Sequence, residues 1–298
     1  MSRAVSLVVP SLDDLELLDA CLGAVLPELD RRDAGDEVVV VDDGTGRLAR
    51  HLAGRHPRAR VHELPTNEGF ARALLAGTRA ARHELVFAMN PDVRVRPGFL
   101  EPLVEALTSH PELALVSPCV LQGADELPGE ETLPELVFER GLHRVRRAAT
   151  QLIPGEAYPG HPVGPPAAFA LGGAMLVRRA ELLEVGLDPR YEPFYWEDVD
   201  LAERLRATGR EVRVEPRSVV VHLGRGTIGG RVPEALVRAA IERNRLLFTW
   251  RHERDPERLG EHFTELAARL VEHALDEERE ELLWLLLALE RPPTGPGA

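Results

Sequence analysis

With 298 residues, the chain is long enough to bury a large core, as one α/β domain or as one domain with an appendage. Its 49 acidic residues against 36 basic ones, a net charge of -13, exclude nucleic acid as the main partner, because gripping a phosphate backbone takes clustered positive charge. A nucleotide ligand stays compatible, since a metal can hold its diphosphate, and the two distant cysteines, Cys21 and Cys119, fit a reduced setting with no disulfide scaffold.

Val5 to Pro10 is a short β-branched run closed by proline, as expected of a buried parallel strand. It starts too early to leave room for a signal peptide. Ser11 can cap a helix through Leu15, Leu18, Leu22 and Leu26 that ends near Pro27. Glu37 to Asp42 gives a second buried strand, running into Asp43 and the turn residue Gly44. Strand, helix and strand at this spacing predict a βαβ unit, and ligands gather at the carboxyl ends of such strands, where Asp42 and Asp43 fall. An ordinary acidic turn explains the two aspartates equally well.

Val61 to Pro65 reads as a third strand, followed by Asn67, Gly69 and Phe70 and a helix over residues 71–82. Leu85 to Met89 is another buried strand, ending in Asn90-Pro91-Asp92. A carboxylate there can hold a divalent cation, and an Asx-Pro turn is the plainer reading. A helix over residues 98–107 and a strand over 113–118 follow. Residues 122–166 change character, rich in Pro, Gly and charge, with a basic island at Arg140, His143, Arg144, Arg146 and Arg147. An acidic or phosphorylated acceptor could meet that island; a solvated helix face or loop is the simpler assignment.

Phe169 to Ala174 carries Gly172-Gly173, where a ligand could approach the backbone closely. The most informative stretch is Phe194-Tyr195-Trp196-Glu197-Asp198-Val199-Asp200, with three of the fourteen aromatic residues ahead of three carboxylates in four positions. Apolar rings beside a carboxylate raise its pKa and improve it as a base. Leu201 and Leu205 then share one face of a helix. Two short strands are predicted over 211–216 and 218–222, the second ending at His222 before a glycine-rich segment. From Pro233 the pattern is helical: residues 234–252, 256–273 and 276–289, then a tail expected to be disordered. The apolar run Leu282 to Leu289 is too short to span a membrane. Packing is its default use; a dimer contact or a peripheral membrane contact stays open.

The acidic run resembles that of inverting family 2 glycosyltransferases, in their rhamnosyl- and galactofuranosyltransferase-like branch. Asn67-x-Gly69-Phe70-Ala71, Asn90-Pro91-Asp92, Gly172-Gly173-Ala174, His222 and Arg243-Asn244 resemble further family elements, in the family's order. Arg72, Leu74 and Leu75 depart from it. The resemblance implies a GT-A fold: an α/β, Rossmann-like, mostly parallel sheet flanked by helices, with a C-terminal helical extension. Residues 1–230 would form the glycosyltransferase domain, its donor half about 1–120 and its acceptor half about 121–230, and residues 231–298 the extension.

The implied activity is transfer of a sugar from a nucleoside diphosphate, UDP- or dTDP-linked, to a glycan or lipid-linked glycan hydroxyl, in cell-surface polysaccharide or glycolipid synthesis. The setting would be the cytoplasm or the inner face of the membrane. Asp198 matches the catalytic base, and Glu197 would orient the base or the acceptor. Asp92, joined by His222, would hold Mn2+ or Mg2+, with Asn90 bonding ribose or phosphate. Pro10, Ser11, Asp42, Asn67, Gly69 and Arg225 would complete the donor site, and Gly172, Gly173 and Trp196 the acceptor side. Nucleotidyl transfer is disfavoured, because Pro10-Ser11-Leu12-Asp13-Asp14 is acidic where a triphosphate needs a basic, glycine-rich loop. A non-catalytic binder of nucleotide or glycan on the same fold is the remaining alternative.

Overall fold

The computed structural model describes residues 3–224 and 232–275. In chain order the strands are β1 (Val5–Ser11), β2 (Glu37–Asp42), β3 (Ala59–Glu63), β4 (Leu85–Met89), β5 (Val93–Val95), β6 (Leu113–Gln122), β7 (Leu127–Pro128), β8 (Pro134–Glu139), β9 (Leu142–Arg147), β10 (Ala174–Arg178) and β11 (Glu211–His222). The helices are α1 (Leu15–Arg32), α2 (Leu48–Ala53), α3 (Phe70–Ala80), α4 (Leu100–Ser109), α5 (Arg179–Val185), α6 (Glu197–Ala207), α7 (Glu234–His252) and α8 (Pro256–Leu275).

One sheet organises them, in the order β3-β2-β1-β4-β10-β6-β11-β5, with β7 beside β6. β1 to β4 run parallel, as do β6 and β11; β10, β5 and β7 oppose their neighbours. Alternate strand residues feed two cores. Val5, Leu7, Val9 and Phe87 meet α1 and α4 on one face, while Val8, Val41, Val86 and Val177 meet α3, α5 and α6 on the other. On the second face Gly77 of α3 lies directly on Val8 and Val41 of the sheet.

Register fixes which distant residues share the sheet's working edge. Ser11 pairs with Asp42, Ala174 with Met89, and His222 with both Val93 and Gln122. The ends of β1, β2, β4 and β11 therefore line up, although 211 positions separate Ser11 from His222 in the chain.

Several sequence expectations need correction. Ser11 does not cap α1, because it still belongs to the β1 ladder; the cap is Asp14, which accepts from the Leu17 amide at 3.0 Å. Pro27 does not end that helix, which continues to Arg32 and buries Leu29 in the core. The two short strands expected over 211–222 are one, bent by an irregularity between Glu215 and Val219. The basic island is neither helix nor loop but the β8–β9 hairpin, where Arg146 pairs with Glu139 at 2.9 Å. Arg225 and the helix expected over 276–289 lie outside the described residues.

Candidate active site

The acidic motif is presented by a turn that opposes ordinary backbone preferences. Tyr195 and Trp196 both have positive φ, 71° and 75°, a conformation that is costly for bulky residues unless the surroundings impose it. Here the constraint comes from α7. Asn244, fully buried, brings its Nδ2 within 2.7–2.9 Å of the carbonyls of Tyr191, Phe194 and Tyr195. Its Oδ1 accepts from Arg243 Nε and Nη2 at 2.9 and 2.8 Å, and Arg243 also donates to the Glu192 carbonyl. The pair thus satisfies backbone acceptors that the turn leaves open.

Below the turn, Asp200 is a structural hub. Its buried carboxylate accepts from Arg204 at 2.7 Å and Tyr191 at 3.2 Å, and meets His252 at 2.7 Å. Burial alone would raise its pKa, but His252, Arg204 and Arg251 outweigh that and hold it low. Asp188 is likewise held well below the usual range, its burial outweighed by Arg190 and Arg251. These carboxylates are committed to the fold.

Asp198 and Glu197 are not. Asp198 is 9% exposed and accepts from the amides of Gly172 (3.1 Å, to Oδ2) and Val199 (2.8 Å, to Oδ1). Burial pushes its pKa above the ordinary carboxylate range, against the pull of those amides. Glu197 keeps part of its side chain accessible, yet its Oε2 is sealed from solvent with no partner. Burial and the Asp198 charge push its pKa up as well. Amides stabilise a carboxylate and nothing comparable supports Glu197, so Asp198 is the member that ionises first. One side chain is then a base and its neighbour a neutral acid.

The acceptor-side residues expected from sequence fall differently. Trp196 has a left-handed backbone and a buried indole, 7% exposed and 5.2 Å from the Phe248 ring. Tyr195, 38% exposed, is the ring left outside, and partial burial of its hydroxyl, followed by the Glu131 charge, pushes its pKa up. Gly172 and Gly173 are buried, and the close approach they permit is by this chain's own side chains. A Cβ on Gly172 would stand 3.3 Å from Phe70, and one on Gly173 would collide with the Asn90 amide.

At the donor edge, Asp42 is buried with both oxygens engaged, Oδ1 by the Thr45 amide and hydroxyl at 2.7 Å and Oδ2 by the Arg47 and Leu48 amides at 3.0 Å. It shapes the turn from within. Asp43 ties that turn to the next loop, accepting from the amides of Glu68 (2.7 Å) and Gly69 (3.1 Å), while exposed Asn67 accepts from Gly69 at 3.0 Å. Pro10 and Ser11 end β1, and the buried Ser11 hydroxyl has no partner among the described residues.

Asp92 and His222 do come together, with Nε2 3.3 Å from Oδ2. The other ring nitrogen, Nδ1, bonds Glu131 at 2.8 Å. Burial disfavours the imidazolium, but the two carboxylates prevail and lift His222 to about 10. Among the described residues no three His, Cys, Asp or Glu side chains are grouped to hold a metal ion by themselves. One carboxylate and one imidazole still suit a manganese-type cation that takes its remaining ligands from phosphate and water. Glu131 was missed in the sequence, and Tyr195 was noted only as one of the three rings of the acidic run. Glu131 sits in a stretch without periodicity, and Tyr195 was hidden by the larger ring beside it.

Comparison with known proteins gives the family and the fold. A family model described as glycosyl transferase family 2 matches residues 6–183, more than half of the chain. An N-acetylglucosaminyl-diphospho-decaprenol L-rhamnosyltransferase of Mycobacterium tuberculosis (strain ATCC 25618 / H37Rv) is 28% identical over 236 residues, 72% of this chain and 75% of that protein. A pre-mycofactocin glycosyltransferase of the same strain is 31% identical over 193 residues, 63% of this chain and 37% of that protein. Among solved structures, GalNAc-T7 with UDP, GalNAc and Mn2+ superposes with a TM-score of 0.66 at 16% identity, over 85% of this chain and 49% of that one. The mannosyltransferase PcManGT from Pyrobaculum calidifontis, in complex with GDP-Man and Mn2+, gives 0.56 at 19% identity, over 96% and 85%. The sheet and its flanking helices have the GT-A architecture, and the chain belongs to glycosyl transferase family 2.

Proposed function

We propose that the protein is an inverting glycosyltransferase that moves a sugar from a nucleoside diphosphate to a hydroxyl of a lipid-linked glycan. The observation that carries this reading is Asp198: a buried carboxylate of raised basicity, held by two amides at the edge of the site, with no ion pair to neutralise it. Such a group can take the acceptor proton as the hydroxyl attacks the anomeric carbon, and a single displacement there inverts configuration. Glu197, retaining its proton, can donate a hydrogen bond to the acceptor and help to hold it in line.

The donor would lie along the ends of β1, β2 and β4. The unpartnered Ser11 hydroxyl, the exposed Asn67 and the half-buried Asn90 offer contacts to nucleoside and phosphate, while Asp42 and Asp43 act by shaping the loops. Arg225, outside the described residues, is assigned to the diphosphate on charge alone. Asp92 and His222 would hold a divalent cation, Mn2+ or Mg2+, which when bound offsets the charge of the leaving diphosphate. Both solved structures of the same fold contain Mn2+ together with a nucleotide or nucleotide sugar. The rhamnosyltransferase relative, by its name, acts on a polyprenyl-diphosphate-linked sugar, which favours an acceptor of that class and a role in cell-surface polysaccharide synthesis. No helix among the described residues is long and apolar enough to cross a membrane, so contact with such an acceptor would be peripheral.

The test replaces Asp198 with Asn. Transfer is expected to fall by roughly 10²–10⁴-fold, the usual share of general-base catalysis, while nucleotide still raises the melting temperature by mass action. Near-normal turnover would remove Asp198 from the role. An NMR assignment of the anomeric configuration of the product decides between inversion and retention.

A further inference from the structure

Glu131 is a carboxylate that neither the acidic motif nor the donor edge accounts for. It enters from the β7–β8 loop, in the middle of the segment whose sequence showed no pattern. The residues around it are firmly held. Thr132 is buried, donates its hydroxyl to the Val120 carbonyl at 2.5 Å and accepts from the Gly129 amide at 2.9 Å. Leu133 is buried beside Cys119 and Val221, and its carbonyl accepts from Ala148 at 2.9 Å. Glu131 is therefore delivered to a defined place.

There its Oε2 meets His222 Nδ1 at 2.8 Å, and among the described residues it makes no other ion pair. The backbone of His222 is fixed by pairing to both β5 and β6, which sets the position of the ring but not its orientation. A flipped ring would turn a carbon toward Asp92. A carboxylate accepting from Nδ1–H selects the orientation in which Nε2 faces Asp92, and makes that nitrogen the better ligand. Glu131 is only partly exposed, so the bond is weakly screened.

We propose that Glu131 is a positioning residue that aims and polarises His222 toward a divalent cation shared with Asp92. It thereby makes the acceptor-side loop a structural part of the donor's cation site. The proposal rests on the reading of Asp92 and His222 as cation ligands. Its consequence is that the segment of least regular sequence helps to set the affinity of the site for its metal.

The experiment titrates Mn2+ alone into the full chain, followed by electron paramagnetic resonance, for the wild type and for Asp92→Asn, His222→Ala, Glu131→Gln and Glu131→Ala. The first two are expected to abolish specific binding. Glu131→Gln, which keeps an acceptor without the charge, should weaken it by roughly tenfold, and Glu131→Ala by up to about 100-fold, the usual range for partners of metal-bound histidines. Imidazole ¹⁵N spectra of the metal-free proteins supply a second readout, in which the protonated Nδ1 signal of His222 shifts in both Glu131 variants. Wild-type Mn2+ affinity in those variants, beside its loss in Asp92→Asn, would overturn the proposal and leave the metal reading standing. Wild-type affinity in all four variants would overturn the metal reading, and the proposal with it.

Discussion

At the head of α6, two adjacent carboxylates differ in what surrounds them. Asp198 has two amide donors, and Glu197 has a sealed, unpartnered oxygen. That difference separates their titrations and predicts a bell-shaped pH profile for transfer, with the rising limb displaced above the ordinary carboxylate range. Glu197→Gln copies the neutral acid. It should keep most activity near neutrality, preserve the rising limb and lose the falling one; complete loss of transfer would make Glu197 the base instead. The same variant tests stability. Folding raises the pKa of Glu197 above its unfolded value, so its contribution is present in acid and lost as pH climbs through the raised value. The melting temperature of Glu197→Gln should therefore gain on that of the wild type as pH rises from the ordinary carboxylate range to about 8, and level off above it. The acid pair was legible in the sequence because three carboxylates followed three rings. That Trp196 packs inward was not, since it depends on the sign of a backbone dihedral that no side-chain pattern encodes. Glu131 was illegible for another reason: its partner is 91 positions away.

Among the elements, the parallel strands were readable from their unbroken β-branched runs, and the late helices from Pro233 and Pro256 at their starts. Errors gathered where tertiary burial overrides a local signal. Pro27 removes a helical hydrogen bond at a cost of roughly 3 kcal/mol, but stopping there would expose Leu29, which the core buries. The irregularity at Glu215–Val219 lets a proline-containing run stay in one strand. Two helical glycines show how packing reverses a propensity. Gly23 faces outward from α1 with open space around it, so Gly23→Ala should stabilise the protein by about 0.5–1 kcal/mol. Gly77 lies against Val8 and Val41, so Gly77→Ala should destabilise it by about 1–3 kcal/mol despite the better helix former. Denaturant unfolding of both variants checks the pair of signs.

For the molecule as a whole, the site is assembled from the ends of strands far apart in sequence and is braced by a helix beyond them. The sequence could order the strands along the chain, but β10 inserted antiparallel between β4 and β6 was not foreseeable from their composition. That insertion sets Gly173 against Asn90 and brings the Gly172 amide to Asp198. The helix α7, which the division at residue 230 places in the extension, carries the Arg243-Asn244 pair singled out in the sequence and braces the acidic turn. Asn244→Ala strips the turn of its brace and leaves the buried Tyr191 carbonyl unsatisfied at roughly 1–3 kcal/mol, with the half-buried Phe194 and Tyr195 carbonyls losing their partner as well. It should lower both stability and transfer while Mn2+ binding at Asp92 and His222 persists. Loss of metal binding in step with transfer would mean that α7 supports the fold generally and not the turn in particular.

The position of Asn244 also sets an order of events at the ribosome. Chains emerge from the N-terminus and fold progressively as they do so. The strands among the described residues have all been made once His222 has emerged, whereas the clamp on the acidic turn arrives with α7. A nascent chain therefore has its strand-end edge before the acidic turn is clamped, and the two halves of the candidate site are finished at different times.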